Sequence, residues 1–161
     1  MLIGICSDSH DHVNNIKKAV SIFKERNVER VIHAGDYCSP FTIPLFEGLP
    51  LHGIFGNNDG DRYLLIKKFD EIGATLHGDF FSFKEKKLRF AVYHGTYPEI
   101  TQSLERSGMY DVVISGHTHQ GNVETIGETI SINPGSVNGF EQDAIIALFD
   151  TETRRVSFLE L

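Results

Sequence analysis

The chain is short of cysteine, of long apolar runs and of basic residues, and each shortage removes a class of protein. Cys6 and Cys38 are its only two thiols in 161 residues. That is too few for a disulfide scaffold and fits a reducing, cytoplasmic setting. No segment approaches the ~18 consecutive apolar residues that a membrane span requires. The opening MLIGICSDSH turns polar too soon for a secretory signal. Lys and Arg total 15 against 22 Asp and Glu, a formal net charge of −7. A general nucleic-acid binder would carry a basic face instead. The basic runs KEKK (84–87) and TRR (153–155) read as hairpin turns rather than phosphate tracks. Repeats, low-complexity tracts and linkers are missing as well. Length then predicts one domain over 1–161, with a core large enough to need no disulfide or structural metal.

What is present begins with pattern. LIGIC (2–6), RVIHAG (30–35), LHGIFG (51–56) and DVVIS (111–115) are continuous apolar runs, as in strands covered on both faces. Val13, Ile16, Val20 and Phe23 recur along one helical stripe, with Asp11 as its expected N-cap. Helical segments are expected around 40–48, over 61–71, and over 98–107 between Pro98 and Gly108. DFFSF (79–83) and LRFAVY (88–93) flank KEKK as a hairpin, with Phe80, Phe81, Phe83 and Phe90 in its core. NVETIG, TISIN, AIIALF and RVSFLE read as short strands that complete the chain. This is an α/β pattern, with parallel βαβ units first and a mainly antiparallel second half.

Eight histidines are the compositional excess, and they lead to the chemistry. In βαβ folds, function collects at the carboxyl ends of strands. Asp8 and His10 follow the first run and Asp36 the second; Asn57 lies in GNND (56–59) after the third. His94 follows LRFAVY, and His117 and His119 lie in GHTH after DVVIS. One ion takes about four to six ligands, so seven suit two ions about 3.5–4 Å apart that share a carboxylate. His117 and His119 fall on one side of an extended segment and can serve one ion each. An imidazole-rich set favours transition metals over magnesium. Gly35, Gly56, Gly95 and Gly116 stand beside candidate ligands, where the backbone must crowd.

DSHDH (8–12), GD (35–36), GNND (56–59), HG (94–95) and GHTH (116–119) resemble, in order and spacing, the motifs of the calcineurin-like metallophosphoesterases. The likeness is strongest to the small single-domain archaeal and bacterial phosphodiesterases, and NPGS (133–136) extends it over most of the chain. The resemblance implies a four-layer α/β/β/α sandwich of two mixed sheets with a two-metal site at the carboxyl ends of the strands. It implies one ion on Asp8, His10 and His119, another on Asn57, His94 and His117, and Asp36 bridging them. The implied metals are Mn²⁺ first, then Zn²⁺, Ni²⁺ or Fe. The implied reaction is hydrolysis of a small-molecule phosphodiester by a bridging hydroxide, in line with the leaving oxygen.

One position departs from the family. Many relatives carry a histidine after the ligand asparagine; this chain has Asn58 at that catalytic position. An amide donates a hydrogen bond but is no general acid, so good leaving groups are expected to be favoured. The rival reading is a non-catalytic scaffold on the same fold, as one retromer subunit is generally regarded. The complete set of seven ligands favours the enzyme. Outside that set, His33, His52 and His77 read as structural, and His12 as a helix-start residue near the rim. Cys38 reads as a small buried thiol, and Asp59 as the N-cap of 61–71 ahead of an acceptor that supports the ligands. Arg62 is weak evidence for a phosphate contact. Exposed edges of the second sheet leave room for a homodimer without fixing the oligomeric state.

Overall fold

The apolar runs lie in two sheets, of six and five strands, in a computed structural model that describes residues 1–140 and 142–161. In the first sheet β1 (Leu2–Cys6), β2 (Arg30–His33), β3 (Leu51–Gly53) and β4 (Thr75–Leu76) run parallel. They are linked by α1 (Val13–Glu25), a 3₁₀ stretch (Pro40–Phe46) and α2 (Arg62–Glu71). The second sheet has β5 (Phe80–Glu85) and β6 (Leu88–Tyr93) as a hairpin. After α3 (Pro98–Arg106) come β7 (Val112–Ile114), β8 (Asn122–Ile126) and β9 (Thr129–Asn133), in the sheet order β5-β6-β7-β9-β8. The chain then returns to the first sheet, where β10 (Ile145–Asp150) pairs antiparallel with β1, and β11 (Arg155–Glu160) with β10.

Strand alternation sorts the core into two clusters. Ile3, Ile5, Ile32 and Ile54 of the first sheet meet Phe90, Val92, Val112, Ile114 and Ile132 of the second. On the outer face of the first sheet, Val31, Leu51 and Ile146 pack on Ile16, Phe23, Phe46 and Leu65. α3 lies against β7 and β9 on the outer face of the second sheet. The layers are therefore helices, sheet, sheet and helix, the four-layer sandwich of two mixed sheets that the motifs implied.

Local expectations were corrected where a tertiary contact outweighed a local signal. The helical segment expected around 40–48 is present as a 3₁₀ helix at Pro40–Phe46, with Pro44 inside it and unable to donate its share of α-helical hydrogen bonds. β4 is two residues long and has no apolar run to announce it. The second sheet is less antiparallel than its short strands suggested: β6, β7 and β9 are parallel, joined by crossovers rather than turns. Asp11 does not cap α1. His12 does, its Nδ1 accepting from Asn15 N at 3.2 Å, while Asp11 takes Ser39 N and Oγ at 2.9 and 2.6 Å. Phe80 is not core: on edge strand β5 the alternation turns it outward, 41% exposed, and Phe81 inward.

Candidate metal centre

β1, β2, β3, β6 and β7 release their chains at one rim, and the seven candidates arrive there on five loops. The backbone is forced at these points. Asp8, His10, Asp36, His117 and His119 all have positive φ, between 39° and 70°. For a residue with a side chain this region costs on the order of 1–3 kcal/mol, and such strain gathers at functional sites. Cross-loop hydrogen bonds hold the geometry: Asp8 N to Gly35 O (3.0 Å), His10 N to Asp36 O (3.1 Å) and Gly116 N to His94 O (2.8 Å). Two glycines are required by space alone. A Cβ on Gly56 would lie 2.1 Å from Asp36 Oδ1, and one on Gly116 would lie 1.9 Å from Ser7 Oγ.

The side chains converge on two overlapping groups. Asp8 Oδ1 is 3.4 Å from His119 Nε2 and 3.8 Å from His10 Nε2. Asp36 Oδ2 is 3.4 Å from His94 Nε2 and 3.6 Å from His10 Nε2. Asn57 Oδ1 is 3.0 Å from His94 Nε2. Asp8, His10 and His119 form one group able to hold an ion, and Asp8, Asp36 and His94 another, with ligand atoms within 4.8 Å of one another. His117 packs its ring on His94 (centroids 5.2 Å apart) and donates its backbone N–H to Asp8 Oδ2 at 3.0 Å. All seven sequence candidates therefore line one rim, with Asn57 and His117 attached through His94.

Around His94 the arrangement lacks a donor. His94 Nδ1 lies 2.7 Å from Ala34 O and must carry the ring proton. In the neutral ring, Nε2 then presents a lone pair to Asp36 Oδ2 and Asn57 Oδ1, which are both acceptors. Asp8 Oδ1 and His10 Nε2 are buried with no hydrogen-bond partner. A buried group left in this condition costs about 1–3 kcal/mol. A divalent cation among these atoms would satisfy them together, and imidazole with carboxylate is a transition-metal donor set. The residues present fit a metal centre. Without a cation, protons take its place. The nearby Asp8 carboxylate, with Asp36 beside it, raises the pKa of His10 against its burial. Burial would lower His94, but its bond to Asp36 and that carboxylate's charge raise it. Burial would raise Asp36, yet His94 and Asn58 hold its carboxyl well below the usual range.

The model of the calcineurin-like phosphoesterase superfamily domain matches residues 1–154. The chain belongs to the calcineurin-like phosphoesterase superfamily. Phosphodiesterase MJ0936 of Methanocaldococcus jannaschii is 42% identical over 158 residues, 96% of this chain and 95% of the relative. A probable metallophosphoesterase of Methanothermobacter thermautotrophicus is 36% identical over 144 residues, 84% of this chain and 77% of the relative. The solved structure of an archaeal phosphodiesterase superposes with a TM-score of 0.95 at 39% identity, each chain fully covered.

In this phosphoesterase the residue after Asn57 is committed elsewhere. Asn58 gives its backbone N–H to Asp36 Oδ1 and its side-chain amide to Asp36 Oδ2, both at 2.8 Å. It clamps the carboxylate. Cys38, read as buried, is half-buried, with Sγ 3.2 Å from His10 Nδ1. Burial first, and nearby carboxylates after it, push its thiol up to about 12. Arg62 is not free for a phosphate: it pairs with Asp79 at 2.9 Å and lies over the Phe55 ring. His52 and His77 face each other at 3.0 Å with His77 stacked on Phe81, a structural pair.

Of the two roles open to Asp59, the structure shows the acceptor behind the ligands and not the favoured N-cap. α2 is capped by Asp61, whose side chain accepts from Leu64 N at 3.0 Å. Asp59 instead accepts backbone N–H groups from Gly56 (2.7 Å), Cys38 (2.8 Å) and Asp36 (3.0 Å), tying the second and third loops together. The signal lay in the GNND motif itself, but a capping role one turn from a helix competes with it. Asp59→Ala strands three donors. We expect a stability loss of about 3 kcal/mol in urea titration and metal binding weaker by roughly 10–100-fold. Unchanged metal affinity in the folded variant would show that the brace does not position Asp36. Ser136 Oγ and Asn138 Nδ2, at 3.1 and 3.0 Å from Asp8 O, hold the first loop, and no local pattern marked Asn138 for this.

His33 is buried as expected, with Nε2 3.1 Å from Ser9 Oγ and Gly35 N donating to its Nδ1 at 3.3 Å. Burial lowers its pKa to about 3. A folded pKa below the unfolded one means that the unfolded chain takes up the proton first. Stability is thus full above the unfolded value, about 6.5, and falls with pH below it by about 1.4 kcal/mol per unit. The raised pKa values of His10 and His94 contribute a constant in that range. Between pH 6.5 and 5 the metal-free protein should lose about 2 kcal/mol that His33→Gln does not lose. Parallel pH profiles for the two proteins would show that His33 titrates normally.

Proposed function

We propose that the chain is a dinuclear metal-dependent phosphodiesterase, and read 1–161 as one such domain. Asp8, His10 and His119 would hold one ion, Asn57, His94 and His117 the other, with Asp36 shared. The observation that carries this reading is the convergence of buried polar atoms, Asp8 Oδ1 and His10 Nε2 among them, that have no hydrogen-bond partner. The similarity to phosphodiesterase MJ0936 over almost the whole chain supports it. Two divalent ions bound there would generate hydroxide from water near neutral pH and offset the charge growing on the phosphoryl oxygens.

The residues set the rest. Two divalent cations against the carboxylates Asp8 and Asp36 leave a local charge of about +2. The centre therefore attracts an anionic diester although the chain carries −7. Asn58 fixes both oxygens of Asp36, so the shared ligand keeps one orientation. With its amide so used, Asn58 protonates no leaving group, and the substrates it suits depart as stable anions. The family resemblance puts Mn²⁺ first among the metals, with Zn²⁺, Ni²⁺ and Fe behind it, and a mixed imidazole–carboxylate donor set suits all four. Two free cysteines fit a reducing compartment. β8, exposed along most of its length at the sheet edge, offers a surface for a second copy.

The test is chelator-stripped protein assayed on an aryl phosphodiester and its monoester before and after Mn²⁺, Zn²⁺ or Ni²⁺ is restored. Turnover that returns with metal, faster on the diester, is the expected result. Two ions bound per chain without turnover would give the site to a scaffold.

A further inference from the structure

The centre opens on two sides. On one, a cavity of about 340 Å³ lined by His12, Asn138 and Phe140 reaches His10 and His119. On the other, a cavity of about 390 Å³ lined by Phe55, Tyr93, Tyr97 and Ile100 reaches Asn57 and His94. One lobe touches the candidates for one ion and the other lobe those for its neighbour, so the centre lies between them. Each lobe carries an aromatic ring turned to solvent: Phe140 is 85% exposed and Tyr97 62%. Their backbones are tied to the site. Phe140 N donates to Asn138 Oδ1 at 2.5 Å, and Asn138 in turn holds Asp8 O. Tyr97 N donates to the Tyr93 hydroxyl at 3.2 Å, on the strand that ends at His94. Cavities lined by aromatic rings beside a few convergent polar groups are the usual setting of a small-ligand site.

Charge narrows the ligand. Arg62 is the one Lys or Arg lining either lobe among the described residues, and Asp79 already pairs with it. A second phosphate would find no counter-charge there, and a chain of net charge −7 repels a long polyanion. Each lobe falls within the range of about 300–1,000 Å³ found for small-ligand pockets. We infer that the substrate is a diester with one phosphate between two ring-bearing groups, of the dinucleoside monophosphate class, with Phe140 stacking on one ring and Tyr97 on the other. This rests on the phosphodiesterase reading. Stacking accepts any base, because every base has a π-face, so the enzyme selects rings rather than a sequence.

Two 4-nitrophenyl diesters with a common leaving group test it, one carrying thymidine on the other oxygen and one carrying methyl. They are assayed with Mn²⁺-loaded native protein, Phe140→Ala and Tyr97→Ala, with metal content measured in each. The native protein should prefer the thymidine ester by roughly 10-fold or more in kcat/KM, a modest stacking effect. One substitution should abolish that preference through KM. The other, in the lobe of the leaving aryl group, should slow both esters by the same factor. Metal content should match the native protein in both variants. Equal native rates on the two esters, or a preference that survives both substitutions, would overturn the inference while leaving the reaction in place. No turnover of either ester by metal-loaded native protein would remove the phosphodiesterase reading, and this inference with it.

Discussion

Asp36→Asn should lower kcat/KM on an aryl phosphodiester by roughly 10³-fold, about 4 kcal/mol, the several kcal/mol that a catalytic ion supplies. The change is nearly isosteric. The new amide oxygen can still accept from Asn58 N, as Asp36 Oδ1 does at 2.8 Å. What disappears is the negative charge facing His10 and His94, whose Nε2 atoms lie 3.6 and 3.4 Å from Oδ2. In the proposed two-ion centre, a neutral bridge would leave two cations with a single carboxylate, Asp8, to offset them, and one ion should be lost. Elemental analysis should find close to one ion per chain, and circular dichroism should find the native fold. The fold should survive because the loop is held through its backbone, by Asp59 at Asp36 N and by His10 N at Asp36 O. Full metal content with the native rate would overturn the assignment of Asp36 as the shared ligand.

Leaving-group dependence should show the second large effect. A positioned general acid contributes about 10²–10⁴-fold to reactions whose leaving group needs a proton. Asn58 supplies none, and its side-chain amide is spent on Asp36 Oδ2. Across phosphodiesters of one common group, rates should fall steeply as the leaving-group pKa rises from nitrophenol to alkanol. The alkyl member should lag by at least that factor beyond its intrinsic reactivity. Asn58→Ala should keep the slope and lose metal affinity instead, by roughly 10–100-fold, as expected when a ligand loses its orienting partner. A shallow slope in the native protein would reveal another acid; a steeper slope in Asn58→Ala would show that Asn58 itself assists departure.

Strand positions were legible because buried strands need nearly unbroken apolar runs, and LIGIC and DVVIS end close to where the candidate ligands begin. Phe80 and Asp11 were misread for opposite reasons. Phe80 lies on an edge strand, where one face has no partner layer to bury it. Asp11 has the right chemistry to cap α1, but Ser39 on another loop competes for its carboxylate and wins.

The sequence by itself determined which candidate ligands stand at the strand ends, because metal chemistry restricts which side chains can serve. Only the tertiary structure decided which of them meet. His117 N reaches Asp8 Oδ2 across 109 residues, and Asn138 Nδ2 reaches Asp8 O across 130. It also decided that Asp59 braces loops while Asp61 caps the helix, and that Phe140 and Tyr97 stand on opposite sides of the centre. Local pattern reports how a segment covers its own backbone. Such pairings depend on how two sheets stack and bring their loops to one rim, which no short window of sequence contains.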